Sequence, residues 1–569
     1  MEISCKKETK LTKLRVTAGQ IVKKGDALFE TEAGKATETI SSPADGTVQE
    51  ILAEEGQKIK AGTVVLTLEE TAGEQPAPAA PVPAETATKP APAETAGKPD
   101  PSVAAEKSVN CEIAILGGGP GGYVAAIYAA KRGKRVVLIE MKALGGTCLN
   151  VGCIPTKSLV KSSEVLYEAL HAEQFGILID HAEPDMNKII DHKDSVVEEL
   201  VQGIEFLMRK NQITVICGCG VLKDAHTIHI PETNTDVHAD DIILATGSTF
   251  KESTMEGLDL PFVMNSTQAL ASRTLPKSVT ILGGSVTGLE FACLYHNLGA
   301  KVHVLKATAS MHGGVDDDVS DELIRLLRER GITITLSADM KKVQAADDGQ
   351  ALVTYAVQGQ EHVIVSELVL NALGRRPLSE NIGLETVGVA VNERKRSITV
   401  DSHMRTNVPH IYAIGDVTAI QMLAHVASRQ GIVAVDNILG EDKEMDYHAV
   451  PSVIFTSPEV ASVGITESEL KKNNIPCSVS KFAYAGNGKA MSQETREGYV
   501  KLIQNDKTGK IVGGQIIGAD ASTLIDTLAL AVTNGMSAKD ITDTIFPHPT
   551  TGEVIHEAAL GLTIGSLHA

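Results

Sequence analysis

The stretch that most constrains this chain is Cys111-Glu112-Ile113-Ala114-Ile115-Leu116, followed by Gly117-Gly118-Gly119-Pro120-Gly121-Gly122, an Ala-rich run from Tyr123 to Arg132, and Arg135-Val136-Val137-Leu138-Ile139-Glu140. Apolar runs flanking a glycine turn and a helical run read as one strand, helix, strand unit that binds a dinucleotide. Gly117 makes the tight turn, Gly119 lets the backbone approach a pyrophosphate at the helix N-terminus, and Gly122 permits close helix packing. Glu140, twenty-three residues after Gly117, is placed to hold an adenosine ribose.

Five residues after Glu140 begins Gly145-Gly146-Thr147-Cys148-Leu149-Asn150-Val151-Gly152-Cys153-Ile154-Pro155-Thr156-Lys157. Two cysteines separated by four residues can meet across one distorted helical turn and form a bond that opens and closes. Their place directly after the dinucleotide unit suits a flavin over a redox disulfide. The bland alternative is a stapling disulfide. An acidic chain without a secretory signal, however, belongs to a reducing compartment, where persistent structural disulfides are rare.

Composition sets the remaining bounds. A chain of 569 residues, 43% apolar, is several domains. No segment holds the ~20 uncharged apolar residues of a membrane span, and a net charge of −20 opposes binding to nucleic acid or anionic lipid. A cytoplasmic protein is expected, with no membrane and no nucleic-acid partner. Cys217-Gly218-Cys219 has no second pair at metal spacing, and Cys5, Cys111, Cys293 and Cys477 read as buried or incidental thiols, so no metal site is expected.

A second unit follows: Val279-Thr280-Ile281-Leu282, then Gly283-Gly284-Ser285-Val286-Thr287-Gly288-Leu289-Glu290, then Lys301-Val302-His303-Val304-Leu305-Lys306. Two residues depart from the fingerprint. Ser285 adds a Cβ and a hydroxyl where a pyrophosphate should pass, and Lys306 replaces the acidic residue that bonds the ribose of NAD. A lysine there could meet a 2′-phosphate and favour NADP, could be a variation that NAD tolerates, or could mean poor nicotinamide binding.

Near the C-terminus, Phe546-Pro547-His548-Pro549-Thr550-Thr551-Gly552-Glu553 can pair the His548 imidazole with the Glu553 carboxylate. The carboxylate orients the ring and raises its basicity, as a base for dithiol oxidation requires, because the thiolate is the nucleophile. His556 reads as a surface residue.

The first seventy residues alternate short Val, Ile and Leu runs with glycine turns, the pattern of a small all-β sandwich. Lys35 falls between related halves built on Val22-Lys23-Lys24-Gly25-Asp26 and Gln57-Lys58-Ile59-Lys60-Ala61-Gly62. This segment resembles the biotinyl/lipoyl carrier domains, in which a modified lysine follows the Gly-Asp turn by ten residues, as Lys35 follows Gly25. Gly34 stands where lipoyl domains place Asp, and the Met residues that flank the lysine of biotinyl domains are absent; the resemblance implies a lipoyl group on Lys35. A tract of Ala, Pro, Glu, Thr and Lys then reads as an extended, semi-rigid tether.

From about Cys111 onward the chain resembles the flavin-dependent pyridine nucleotide–disulfide oxidoreductases. The resemblance implies that Cys153 forms the charge-transfer contact with FAD, that Cys148 exchanges with substrate, and that Lys157 lies near the flavin N5 and pairs with Glu290. It implies further FAD contacts at Gly146, Thr147, Gly220, Thr246, Gly247 and Ser248, the last three after a strand beginning near Asp241. In Ile411-Tyr412-Ala413-Ile414-Gly415-Asp416-Val417, Asp416 would hold the ribityl hydroxyls. Gly283, Ser285, Gly288, Lys306 and Gly374 would face the nicotinamide nucleotide. His548 would act across a homodimer. Met422-Leu423-Ala424-His425, also counted with the FAD site, has the form found in members that oxidise dihydrolipoyl groups, and the chain lacks the C-terminal vicinal cysteines of mercuric reductases.

The expected architecture is multidomain. It comprises a lipoyl-like all-β sandwich (1–70), a flexible Ala/Pro linker (71–108), an FAD-binding Rossmann-like α/β domain (109–257), a Rossmann-like NAD(P) domain (258–376), the second part of the FAD-binding region (377–448) and an α+β dimerisation domain (449–569). The expected activity is oxidation of protein-bound dihydrolipoyl groups through the disulfide and FAD to NAD(P)+. The donor would be a lipoylated acyltransferase of a 2-oxo acid dehydrogenase-type complex or a glycine-cleavage carrier. The alternatives are an NADPH-dependent reductase of another disulfide, and a carrier or assembly subunit without nicotinamide turnover.

Overall fold

The computed structural model describes residues 2–4, 9–16, 20–22, 26–33, 36–42, 46–53, 55–60, 63–70, 107–311 and 314–568. They divide into one unit within residues 1–101 and a second within 102–569. Lys35, Cys5 and residues 71–106 of the expected linker lie outside the described residues.

The smaller unit is a sandwich of two four-stranded sheets. One sheet orders Glu2–Ser4, Val64–Glu70, Gly46–Ile51 and Ile21–Val22; the other orders Ala36–Ser41, Ala27–Ala33, Thr9–Leu14 and Lys58–Ile59. Leu11, Leu28, Phe29, Val48, Ile59, Val65 and Leu66 are all fully buried and form the core of this unit. Strands Ala27–Ala33 and Ala36–Ser41 pair antiparallel with Ala33 opposite Ala36.

The larger unit holds both dinucleotide units. In the first, Val136–Glu140, Lys107–Leu116 and Thr235–Leu244 are parallel neighbours, with Thr214–Cys217 on one side and the antiparallel pair Thr227–Ile230 and Val221–Asp224 on the other. Strand Lys107–Leu116 begins inside the span expected for the linker, because Lys107 and Ser108 already pair with Thr235 and Asp236. Strand Thr235–Leu244 likewise begins six residues before the expected Asp241. Its polar start is buried because Asp236 accepts from Lys223 Nζ and meets His229 Nδ1, both at 2.7 Å. Its last residues also pair with Ile411–Ala413, which returns from far along the chain to the same sheet and delivers Asp416 to it.

The second unit is a five-stranded parallel sheet ordered Val263–Asn265, Leu368–Asn371, Ser278–Leu282, Lys301–Leu305 and Thr333–Thr335. Residues 452–518 supply a five-stranded antiparallel sheet, against which helices Ala521–Thr533 and Glu553–Gly561 pack. Among the described residues no helix is long and apolar enough to cross a membrane.

Candidate active site

The two dinucleotide units repeat each other in detail. Gly117 and Gly283 have φ of +111° and +112°, which an L side chain rarely adopts, and a Cβ on either would meet the carbonyl of Ala245 or Ala372. A Cβ on Gly122 would lie 1.8 Å from the Gly117 oxygen, and one on Gly288 1.9 Å from the Gly283 oxygen. Each helix therefore packs onto its turn only because these positions carry no side chain.

The cysteine pair is built onto the first turn. The Gly145 N–H donates to the Gly118 carbonyl at 2.8 Å, and a Cβ on Gly146 would reach to 2.7 Å of Gly119 Cα. Helix Gly146–Val151 thus starts in contact with the glycine turn, breaks at Gly152, and resumes as Cys153–Leu170. Cys148 and Cys153 form a disulfide across this break, with Cα atoms 4.7 Å apart. Asn150 donates to the Leu144 and Gly146 carbonyls and ties the short helix down.

One turn beyond Cys153, the Lys157 ammonium donates to Glu290 Oε1 at 2.8 Å and sits 4.2 Å from the centre of the Phe455 ring. Glu290 is 4% exposed and also accepts the Phe455 N–H at 3.2 Å. One carboxylate on the second unit's helix thereby fixes the cation one helical turn beyond Cys153 against the start of the C-terminal sheet.

The cradle for a flavin dinucleotide draws on distant segments. Glu140 accepts from the Gly118 N–H at 2.7 Å and the Lys142 N–H at 2.9 Å. At Gly119 a Cβ would find nothing nearer than 3.9 Å, which leaves an open turn at the helix N-terminus. Thr246 donates to the Leu378 carbonyl, and Gly247, at φ +75°, has open space around it. The Ser248 hydroxyl donates to Asp416 Oδ2 at 2.6 Å. An anion-accepting turn, an acceptor for a ribose and an acid at the end of the sheet fit FAD. Gly220 is explained by packing, since a Cβ there would strike Leu116 at 2.6 Å and Ile228 at 2.8 Å. Ala424 opens the helix that runs to Ile438, His425 Nε2 lies 2.9 Å from the Pro451 carbonyl, and Met422 is 37% exposed.

Sequence reasoning missed Arg375. Its guanidinium donates to the Ser248 hydroxyl at 2.8 Å, to the Ser248 carbonyl at 2.7 Å and to Thr147 Oγ1 at 3.4 Å, and stacks over Phe250. Burial lowers its affinity for the proton, against the pull of Asp416. It joins three segments of the flavin cradle. The sequence marks it only as an arginine directly after Gly374, because the residues that hold it lie 127 and 228 positions away in the chain.

In the second unit, Ser285 occupies the helix N-cap with φ −91°, ψ −176°, close to the −70°, −176° of Gly119. This extended conformation suits any residue, so the serine strains nothing, and its side chain makes no capping bond. Gly374, at φ +112°, borders open space. Lys306 follows strand Lys301–Leu305, half-buried.

His548 Nδ1 lies 3.0 Å from Glu553 Oε1, and the Thr550 N–H donates to Glu553 Oε2 at 2.9 Å. Burial opposes ionisation of Glu553, but these two partners outweigh it and hold the carboxyl below its usual range. The imidazole is 78% exposed. His556 is not the surface residue expected: it is half-buried against Phe546, with Nε2 3.2 Å from the Thr542 carbonyl. Among the described residues no group of three or more His, Cys, Asp or Glu could hold a metal.

Comparisons with known proteins follow this geometry. Residues 111–431 match the pyridine nucleotide-disulphide oxidoreductase family, residues 450–559 its dimerisation domain, and residues 2–68 the family described as biotin-requiring enzyme. The chain is 41% identical over 463 residues to the dihydrolipoyl dehydrogenase of Chlamydia muridarum, covering 80% of this chain and 98% of that protein. It is 38% identical over 473 residues to that of Bacillus subtilis, covering 82% and 98%. Among solved structures, LpdA from Mycobacterium tuberculosis matches with a TM-score of 0.74 at 28% identity, over 80% of this chain and all of that one. The flavoprotein disulfide reductase RclA from Escherichia coli matches with a TM-score of 0.72 at 27% identity, over 80% and 99%.

Proposed function

The chain belongs to the pyridine nucleotide-disulphide oxidoreductase family, and from that membership we propose that it is a flavin-dependent dihydrolipoyl dehydrogenase carrying its own lipoyl domain. The observation that carries this reading is the Cys148–Cys153 disulfide anchored on the glycine turn of the first dinucleotide unit. FAD would be held by Gly117, Gly119, Gly122, Glu140, Thr147, Ser248, Arg375 and Asp416, with the nicotinamide nucleotide against Gly283, Ser285, Gly288 and Gly374. When bound, the flavin passes the electron pair of the reduced cysteines to the nicotinamide.

The chain's own residues perform the thiol chemistry. In a homodimer, supported by the match to the dimerisation domain, the exposed imidazole of His548 serves the other subunit's disulfide. It takes a proton from one thiol of a dihydrolipoyl group, and Glu553 stabilises the imidazolium. The thiolate attacks Cys148 Sγ; the Cys148–Cys153 bond breaks and Cys153 leaves as a thiolate, its charge favoured by the nearby Lys157 ammonium. The second substrate sulfur, deprotonated in turn, attacks the first, closing the lipoyl ring and releasing Cys148. The substrate loses two electrons and two protons, and the cysteine pair gains the electrons.

The donor is a lipoyl group on Lys35 or on an acyltransferase or glycine-cleavage carrier, and a thiol cycle of this kind suits the cytoplasm. The family match of residues 2–68 supports Lys35 as the attachment point. The test is anaerobic mixing of the full, FAD-loaded chain with dihydrolipoamide. Flavin bleaching followed by reduction of added nicotinamide nucleotide is expected. A flavin that dihydrolipoamide leaves oxidised would overturn the reading. Intact mass of the first domain checks Lys35.

A further inference from the structure

We propose that the second dinucleotide site selects the 2′-phosphorylated nucleotide, NADP(H), and that Lys306 is the residue that selects it. The inference rests on the reading of this domain as the nicotinamide site and deepens it. It comes from comparing the chain with itself. The two units match at the turn glycine, at the helix-packing glycine and at the N-cap backbone, so the residues twenty-three positions after each turn glycine occupy equivalent places at the ends of the second strands. In the first unit that residue is Glu140, whose carboxylate turns back onto the glycine loop and accepts the Gly118 N–H at 2.7 Å. In the second unit it is Lys306. Its stem runs along the same loop, and a Cβ on Gly284 would lie 3.2 Å from Lys306 Cδ.

Geometry is therefore kept while chemistry is inverted. A carboxylate accepts hydrogen bonds from the 2′- and 3′-hydroxyls of an adenosine ribose and repels a phosphate there. An ammonium has three donors and no acceptor. It leaves the two hydroxyls without their acceptor and offers a charge-assisted bond to a 2′-phosphate. Lys306 is half-buried, and burial lowers its affinity for the proton with no carboxylate acting to restore it among the described residues. The loop beyond it supplies the hydroxyl residues Thr308 and Ser310, and the Ser285 hydroxyl at the helix N-cap makes no capping bond.

The test uses the full, FAD-loaded chain and calorimetric titration with 2′,5′-ADP and with 5′-AMP, which differ only in the 2′-phosphate and involve no turnover. A charge-assisted bond gives 2′,5′-ADP an affinity about tenfold or more above that of 5′-AMP. Lys306→Arg keeps the preference, and Lys306→Glu reverses it. The ratio of KM values for NADP+ and NAD+ follows the same order. Equal binding of the two ligands, tighter binding of 5′-AMP, binding of neither, or an unchanged ratio in Lys306→Glu overturns the inference. The dihydrolipoamide half-reaction of the parent enzyme needs no nucleotide. If it succeeds while 5′-AMP binds better, this inference alone falls; if it fails while 2′,5′-ADP binds better, only the assignment of the dithiol substrate falls.

Discussion

Lys157, on the helix that begins at Cys153, and Glu290, 133 residues apart in the chain, meet at 2.8 Å, with Glu290 almost fully buried. Removing the cation leaves a desolvated carboxylate whose remaining bond is the Phe455 N–H. Lys157→Met is therefore expected to cost about 1–3 kcal/mol of stability, besides slowing thiol exchange by withdrawing the positive charge one helical turn beyond Cys153. Glu290→Gln keeps an acceptor for both partners and costs less. Thermal unfolding of the FAD-loaded variants measures the first effect, and the rate of flavin reduction by dihydrolipoamide the second. Equal losses in the two variants would remove the buried charge as the cause.

The two cysteines have unequal tasks under the proposed cycle, and serine replacement separates them. Cys148→Ser removes the sulfur that the substrate attacks, so dithiol oxidation stops while the flavin absorbance of the purified protein is retained. In Cys153→Ser the attacking thiolate has no disulfide to open, and Cys148 is left as a free thiol that alkylating reagents modify. Full turnover in either variant excludes the exchange.

The His548–Glu553 pair makes a claim about proton transfer. Dihydrolipoamide oxidation requires an unprotonated imidazole to accept the thiol proton. His548→Gln is expected to lower the rate by about 10²–10⁴-fold, the usual contribution of a general base. Glu553→Gln removes the anion that stabilises the imidazolium and is expected to slow flavin reduction by dihydrolipoamide, by less than His548→Gln does. A rate unchanged in both variants would leave His548 without a role in proton transfer.

Much of the fold was legible because glycine turns and apolar runs are local. The turn of the first dinucleotide unit, the packing glycine and the cysteine spacing lie within about forty residues of one another in the chain. What stayed hidden depends on distant partners. Arg375 bonds Thr147 and Ser248 across 228 and 127 residues, a relation that no periodicity records. The strand from Thr235 begins with polar residues whose burial depends on Lys223 and His229, so hydropathy placed its start six residues late. His556 read as exposed because the Phe546 ring that covers it comes from an adjoining loop. The departures at Ser285 and Lys306 were visible in the sequence. The backbone angles at Ser285 show that the serine strains nothing, and the contact of Lys306 with Gly284 shows that the lysine lies against the glycine loop.

Asp316 couples the second dinucleotide domain to the C-terminal sheet. It is 3% exposed, accepts from the Ser468 N–H and hydroxyl, from the Gln515 amide at 2.8 Å, and meets the fully buried Lys501 ammonium at 3.0 Å. Burial alone would raise its pKa. The bonds from Ser468 and Lys501 overcome that and bring it from 3.8 down to about 2. A carboxyl depressed in the folded state contributes stability above its unfolded pKa and loses it as pH falls toward the folded value. The contribution, about 2 kcal/mol, is therefore complete at neutral pH and declines below about pH 4. Asp316→Asn forfeits it and leaves Lys501 with Asp318 and Glu467 as its remaining anions. The unfolding temperature of the variant should lie below that of the parent at pH 7, and the gap should narrow once the pH is taken under 4. A gap that stays constant as the pH is lowered would show that the carboxylate's charge does not hold the two domains together.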